Sequence, residues 1–127
     1  EKLNQYDKIL GVLNEGLGSV FDDTLILTLT EFGRKIEENG GYGTEHGYGT
    51  AILMAGGLLK KAQILADWPG LKSKNLFEGQ DLNATIDARA VYCSAMSACF
   101  EVDFSYMRKQ AFWDHPLPDL TDKLFKV

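Results

Sequence analysis

The sequence predicts an α/β fold in which a long glycine-rich loop joins two buried strands and helices flank them. Three observations predict it. Leu3, Tyr6, Leu10, Leu13, Leu17 and Val20 recur at three- and four-residue steps, the spacing of one helix face. Two apolar runs, residues 24–30 and 51–56, have Leu or Ile on both sides of the pleat, as in strands buried on both faces. Helical spacing then returns from Ile86 through Ala90, Cys93 and Phe100. Helix, strand, loop, strand, helix is an α/β order. It supplies few strands for a full sheet, so a larger sheet or a second copy of the chain is the expected complement.

The first helix runs to the glycines at 16 and 18, which end it. Asp22 and Asp23 form a turn into the first strand. Residues 30–49 form the loop, and Gly56-Gly57 breaks the strand after it. Residues 58–66 are a short edge strand or irregular. Trp68-Pro69-Gly70-Leu71 is a turn, since Pro then Gly suits the central positions of type II. Residues 72–84 are loop. Thr85 is placed to cap a helix from Ile86, with Asp87 in its first turn. A shorter helix covers 104–113, and Pro116 and Pro118 make the tail extended.

Composition sets limits. A chain of 127 residues suits one domain with a core. A net charge of −5 opposes a nucleic-acid or anionic-membrane surface, since both need clustered Lys and Arg. No apolar run approaches the roughly 20 residues of a membrane span. The chain begins at Glu1 rather than Met, which suggests a processed product or a piece of a longer protein. Cys93 and Cys99 share one helix, about 9 Å apart along its axis. That is too far for a disulfide, so both are read as buried packing thiols.

The loop carries the chemistry. Glu31 closes the first strand, where a carboxylate can bind a cation or act as a base. Glu45 and His46 are adjacent, and a carboxylate with an imidazole suits Zn, Mn or Fe. Arg34 has the planar fork that clamps phosphate or sulfate. Tyr42 and Tyr48, displayed between glycines, suit sugar stacking or an interface. The plainer alternatives are a flexible glycine loop, a turn-capping Glu31 or a Glu31–Arg34 pair. No nucleophile elbow, P-loop or dinucleotide fingerprint is present.

Five segments carry a resemblance: Asp-Asp-Thr-Leu-Ile-Leu-Thr-Leu-Thr-Glu-Phe-Gly-Arg (22–34), Asn-Gly-Gly-Tyr-Gly-Thr-Glu-His-Gly-Tyr-Gly (39–49), Ala-Gly-Gly (55–57), Trp-Pro-Gly-Leu (68–71) and Thr-Ile-Asp-Ala-Arg (85–89). In this order and spacing the chain resembles the carboxyl-terminal part of the domain-of-unknown-function 1501 family. Its members are longer, are often exported by a twin-arginine signal, and are similar to the alkaline phosphatase and sulfatase superfamily. The resemblance implies a partial alkaline-phosphatase-like sheet and a periplasmic or exported, metal-dependent phosphoesterase- or sulfatase-like hydrolase. Glu31, Glu45 and His46 would be metal ligands and Arg34 would hold the anion. Phe32 and Tyr48 stand where the superfamily and family patterns carry histidine. The nucleophile would lie upstream, so no catalytic residue is assigned here and the isolated chain is expected to be inactive. The expected partners are a small-molecule or glycan ligand, the upstream segment, or a second copy. The alternative function is a non-catalytic module that binds a glycan or a protein on a degraded hydrolase fold.

Overall fold

The structure is a computed structural model that describes residues 1–126. It is mixed α/β, with four α-helices and two small antiparallel sheets among the described residues. The chain divides into two compact units. One gathers Glu1–Leu27, Met54–Ala62 and the stretch from Arg89 on; the other gathers Thr28–Leu53 and Gln63–Ala88.

In the first unit, helix α1 spans Lys2–Leu17, and Gly18 at φ 54° ends it by donating its N–H to Asn14 O. A 3₁₀ segment, Gly18–Asp23, follows. Strand β1 is only Ile26–Leu27 and pairs with Met54–Ala55 (β4 in chain order) through Ile26↔Ala55 and Leu27↔Met54. These strands are shorter than 24–30 and 51–56, and they are half-buried rather than buried on both faces. Just outside them, within the second unit, the Thr28 hydroxyl accepts the Leu53 N–H at 2.8 Å. A threonine hydroxyl competes there for a bond that the backbone ladder would otherwise make.

Helix α2 covers Ala88–Phe100, α3 Phe104–Phe112 and α4 Thr121–Leu124. Helix α2 starts two residues after Ile86, so Thr85 is not its cap. Its buried side holds Ala90, Cys93, Ser94 and Ser97, whereas Phe100 is exposed. The small residues let the chain end pack closely. Leu117, Leu120, Leu124 and Phe125 are all buried in this unit. Ser94 Oγ accepts the Leu120 N–H at 3.0 Å, and Phe125 bridges Leu59 as an isolated antiparallel pair. The tail after Pro118 therefore does not stay extended. It turns into α4, with Asp119 Oδ1 accepting from Thr121 N–H. Asp103 caps α3 by accepting the Tyr106 N–H at 2.9 Å. Both cysteines are free; Cys93 is buried as expected, but Cys99 is exposed.

The second unit corrects the expected irregular loop. Residues 30–49 contain a hairpin, β2 Gly33–Glu38 antiparallel to β3 Thr44–Gly47. The pairs are Gly33↔Gly47, Arg34↔His46 and Glu38↔Thr44, with an irregularity in register between Arg34 and Glu38. Four steps on β2 match two on β3, which is the extra length a bulge absorbs. Asp81 forms isolated bridges with both Lys35 and Phe77.

Candidate functional site

Two devices hold the hairpin. At its base the strands cross very closely. A Cβ on Gly33 would meet Gly49 O at 2.5 Å, and one on Gly47 would meet Arg34 C at 2.5 Å. Both contacts are with backbone, so only glycine fits without moving a strand. At the tip, Asn39 organises the five-residue connection. Its Oδ1 accepts from Gly41 N–H at 2.9 Å and Gly43 N–H at 3.0 Å. Its own N–H donates to Gly43 O, and its carbonyl accepts from Tyr42 N–H. Asn-Gly is a hairpin-turn signal, and it was the available sequence clue to this element.

Arg34 and His46 are directly opposed in the ladder, so their side chains leave the same face. Arg34 Nη1 donates to Thr44 Oγ1 at 2.6 Å and to Thr44 O at 3.3 Å. Thr44 is two residues from His46 and lies on that same face. The guanidinium is thus tethered to Thr44 on the face it shares with His46, and both bonds use a single nitrogen of a group with five N–H donors. Phe32 stacks on His46 with ring centroids 4.2 Å apart and planes 17° from parallel. Tyr48, two residues beyond His46, stacks on Phe77 at 4.1 Å and 22°. Thr44 and Phe77 are the site residues that motif reading missed, and Phe32, noted there only in place of a histidine, is the ring that covers His46. Their roles depend on pairing across the hairpin and on Phe77, which is distant in sequence from Tyr48.

The expected metal ligands are arranged differently from a single cluster. Glu45 and His46 are consecutive in a strand, and consecutive side chains point to opposite faces. Glu45 Oε1 accepts from Asn39 Nδ2 at 2.7 Å, on the tip side of the hairpin. Glu31 sits exposed between Thr30 and Phe32, where Thr30 Oγ1 accepts the Phe32 N–H at 3.1 Å. Among the described residues no group of three or more His, Cys, Asp and Glu is placed to hold a metal ion. Within these residues, then, Glu31, Glu45 and His46 do not make one donor set. Arg34, the expected anion ligand, is brought together with His46. Tyr42 stands alone at the tip, 91% exposed at φ 59°.

Among the described residues, no helix is long and apolar enough to cross a membrane. No curated protein and no solved structure matches the chain. The family model described as "Protein of unknown function (DUF1501)" matches residues 1–95, which is most of the chain. The chain belongs to the DUF1501 family of proteins of unknown function.

Proposed function

We propose that the chain is a section of an exported hydrolase related to alkaline phosphatases and sulfatases, and that its hairpin receives the anionic group of a phosphate or sulfate ester. One observation carries the reading: Arg34 and His46 are paired across the ladder, with the guanidinium tethered by Thr44. A planar fork and an imidazole on one face of the hairpin offer N–H donors to a tetrahedral anion. The tether lowers the entropy lost when the arginine closes on its ligand. By resemblance, the nucleophile and the first acidic metal ligands would be supplied by a segment upstream of Glu1. No step is routed through a metal, because Glu31, Glu45 and His46 are not gathered into one donor set.

The test is a titration of the chain with sulfate and with phenyl phosphate, followed by amide shifts of Arg34 and His46. Saturable binding is expected, weakened about tenfold (about 1.4 kcal/mol) by Arg34→Gln. Added salt should weaken it as well. Shifts that never saturate, or that are the same in the variant, would overturn the anion site. Metal analysis of the chelator-treated chain beside His46→Ala tests the metal expectation separately. Stoichiometric Zn, Mn or Fe lost in the variant would place a ligand at His46 and require Glu45 or Glu31 to rearrange.

A second reading, a non-catalytic module for a glycan or protein partner, is favoured by Tyr42. This ring is held out at the hairpin tip in a left-handed conformation that few non-glycine residues adopt. Binding of a partner that is lost in Tyr42→Ala but kept in Arg34→Gln would favour this reading.

A further inference from the structure

We infer that helix α1 is an interface between two copies of this chain, packed antiparallel through Ile9, Val12 and Leu13. The helix divides its apolar residues between two sides, and none of its residues is buried. Tyr6, Leu10 and Leu17, at four- and seven-residue steps, are half-buried. Ile9 and Val12 lie to one side of that line and stay 55% and 69% exposed. With Leu13 and the stem of Lys8 they line one shallow apolar groove. A lone exposed apolar side chain needs no explanation; several that share a groove make a patch for an interface to bury.

Charge identifies the occupant. Lys8 and Glu15 are exposed and flank the strip on the same side, because seven residues bring a helix back to within about 20°. They are about 10.5 Å apart along the axis, too far to pair within one helix. Among the described residues neither has an ion-pair partner. A second α1 laid antiparallel, with Ile9 against the partner's Val12, sets Lys8 beside the partner's Glu15. The two-fold repeats that pair, so all four charges are matched. Parallel packing would set Lys8 beside the partner's Leu13 and leave the charges unmatched. Gly16 falls on the same strip, opposite the partner's Gln5. A Cβ there would meet nothing within 4 Å in its own chain, so the missing side chain is free to admit the second helix. The chain's net charge of −5 opposes an anionic lipid surface for this strip. One helix face buries an area at the low end of interface sizes, below roughly 1,200 Å² in total. Association is therefore weak, with a dissociation constant of about 0.1 mM.

The experiment is sedimentation equilibrium of the chain from about 10 μM to about 1 mM, a range that brackets this constant. A monomer–dimer equilibrium is expected. Val12→Lys should weaken it at least about tenfold, since it puts a charge at the centre of the contact. Lys8→Glu and Glu15→Lys each make both flanking pairs repulsive and should weaken it about three- to tenfold. Mixed in equal amounts, these two variants should associate again about as well as the original chain, because each supplies the charge that the other lacks. A chain that stays monomeric at the highest concentration would overturn the inference. So would dimers that Val12→Lys leaves unchanged. A mixture that recovers nothing would overturn the antiparallel pairing. A monomer that instead binds phosphatidylcholine vesicles, and loses them in Val12→Lys, would assign the strip to a lipid surface and overturn the second copy. If Val12→Lys loses its helix signal, the mixture decides, since both charge substitutions lie at exposed positions.

Discussion

The two units of the chain are held together by different physics. Around α2 and the chain end, stability comes from burial. Ala90, Cys93, Ser94 and Phe125 are all at most 1% exposed, and Leu120 and Leu124 are buried with them. In the unit that carries the hairpin, the buried described positions are Gly33 and Gly49, which have no side chain to bury. Its shape comes from close backbone approach, from the Asn39 network and from stacked rings left partly open to solvent. Binding surfaces need side chains that are not already committed to a core. A scaffold fixed by backbone geometry leaves Arg34, His46 and Tyr48 available to a ligand in a way that a packed core would not.

The largest expected effect tests the buried side of that contrast. Phe125→Ala should cost about 3–5 kcal/mol, the range for truncating a buried aromatic. Denaturant unfolding followed by helix signal would read it, and a loss below about 1 kcal/mol would mean the chain end is not part of the core. Next is Gly47→Ala, whose new Cβ would press on Arg34 backbone at 2.5 Å. We expect about 1–3 kcal/mol of local destabilisation. Cross-strand amide contacts between Arg34 and His46 should disappear, while α2 amides keep their protection. Loss of protection in both regions together would show that the two are one cooperative unit.

A smaller effect is expected for Asn39→Ala, which removes an acceptor for two loop N–H groups. These groups are exposed, so the cost should be about 1 kcal/mol. It should appear as faster hydrogen exchange at Gly41 and Gly43, with Tyr42 mobile at the tip. Unchanged exchange there would mean that the Asn39 bonds do not hold the loop.

The smallest effect concerns the thiols. Burial pushes the Cys93 thiol above its usual 9.0, the Asp119 carboxylate pushes it further, and Arg108 opposes both. Burial raises Cys99 as well, although its side chain is exposed. An alkylating reagent should therefore label Cys99 first and Cys93 only on unfolding, both more slowly than a free thiol. The pH dependence has a definite sign. Below pH 9.0 the thiol is protonated in both states. Above it the unfolded chain ionises first, so stability falls as pH rises towards the folded value. Equal labelling of both cysteines at neutral pH would contradict the burial of Cys93.

Local rules located much of this fold in the sequence. The three- and four-residue spacing of Leu3 to Leu17 gave α1, and Gly18 ended it as glycine does when a positive φ is needed. After Pro69, Gly70 takes φ 85°, the positive value that a type II turn needs at that position. The same rules failed where a partner decides. Leu and Ile on both faces of residues 24–30 suggested a deep strand. The strand instead covers Ile26 and Leu27, and at Thr28 the hydroxyl takes the Leu53 N–H while the Thr28 N–H still donates to Leu53 O. In α2 the expected face was right at Ala90 and Cys93 but not at Phe100, which is exposed. Ser94, not Phe100, faces the core, because the chain end brings a backbone N–H that needs an acceptor.

The candidate site divides in the same way. Residue chemistry alone picked out Arg34, Glu45 and His46, since a guanidinium, a carboxylate and an imidazole have the same capabilities in any fold. It could not say which of them would meet. Glu45 and His46 are neighbours in sequence and part company because a strand alternates its faces. Arg34 and His46 are twelve positions apart and come together because the register pairs them. Sequence determined the helices, the turns and the reactive groups, each of which depends on residues a few positions apart. Tertiary structure decided the strand pairing, the burial of Ser94 rather than Phe100 in α2, and the composition of the site. Those depend on which distant backbone comes close enough to satisfy a hydrogen bond or share a face.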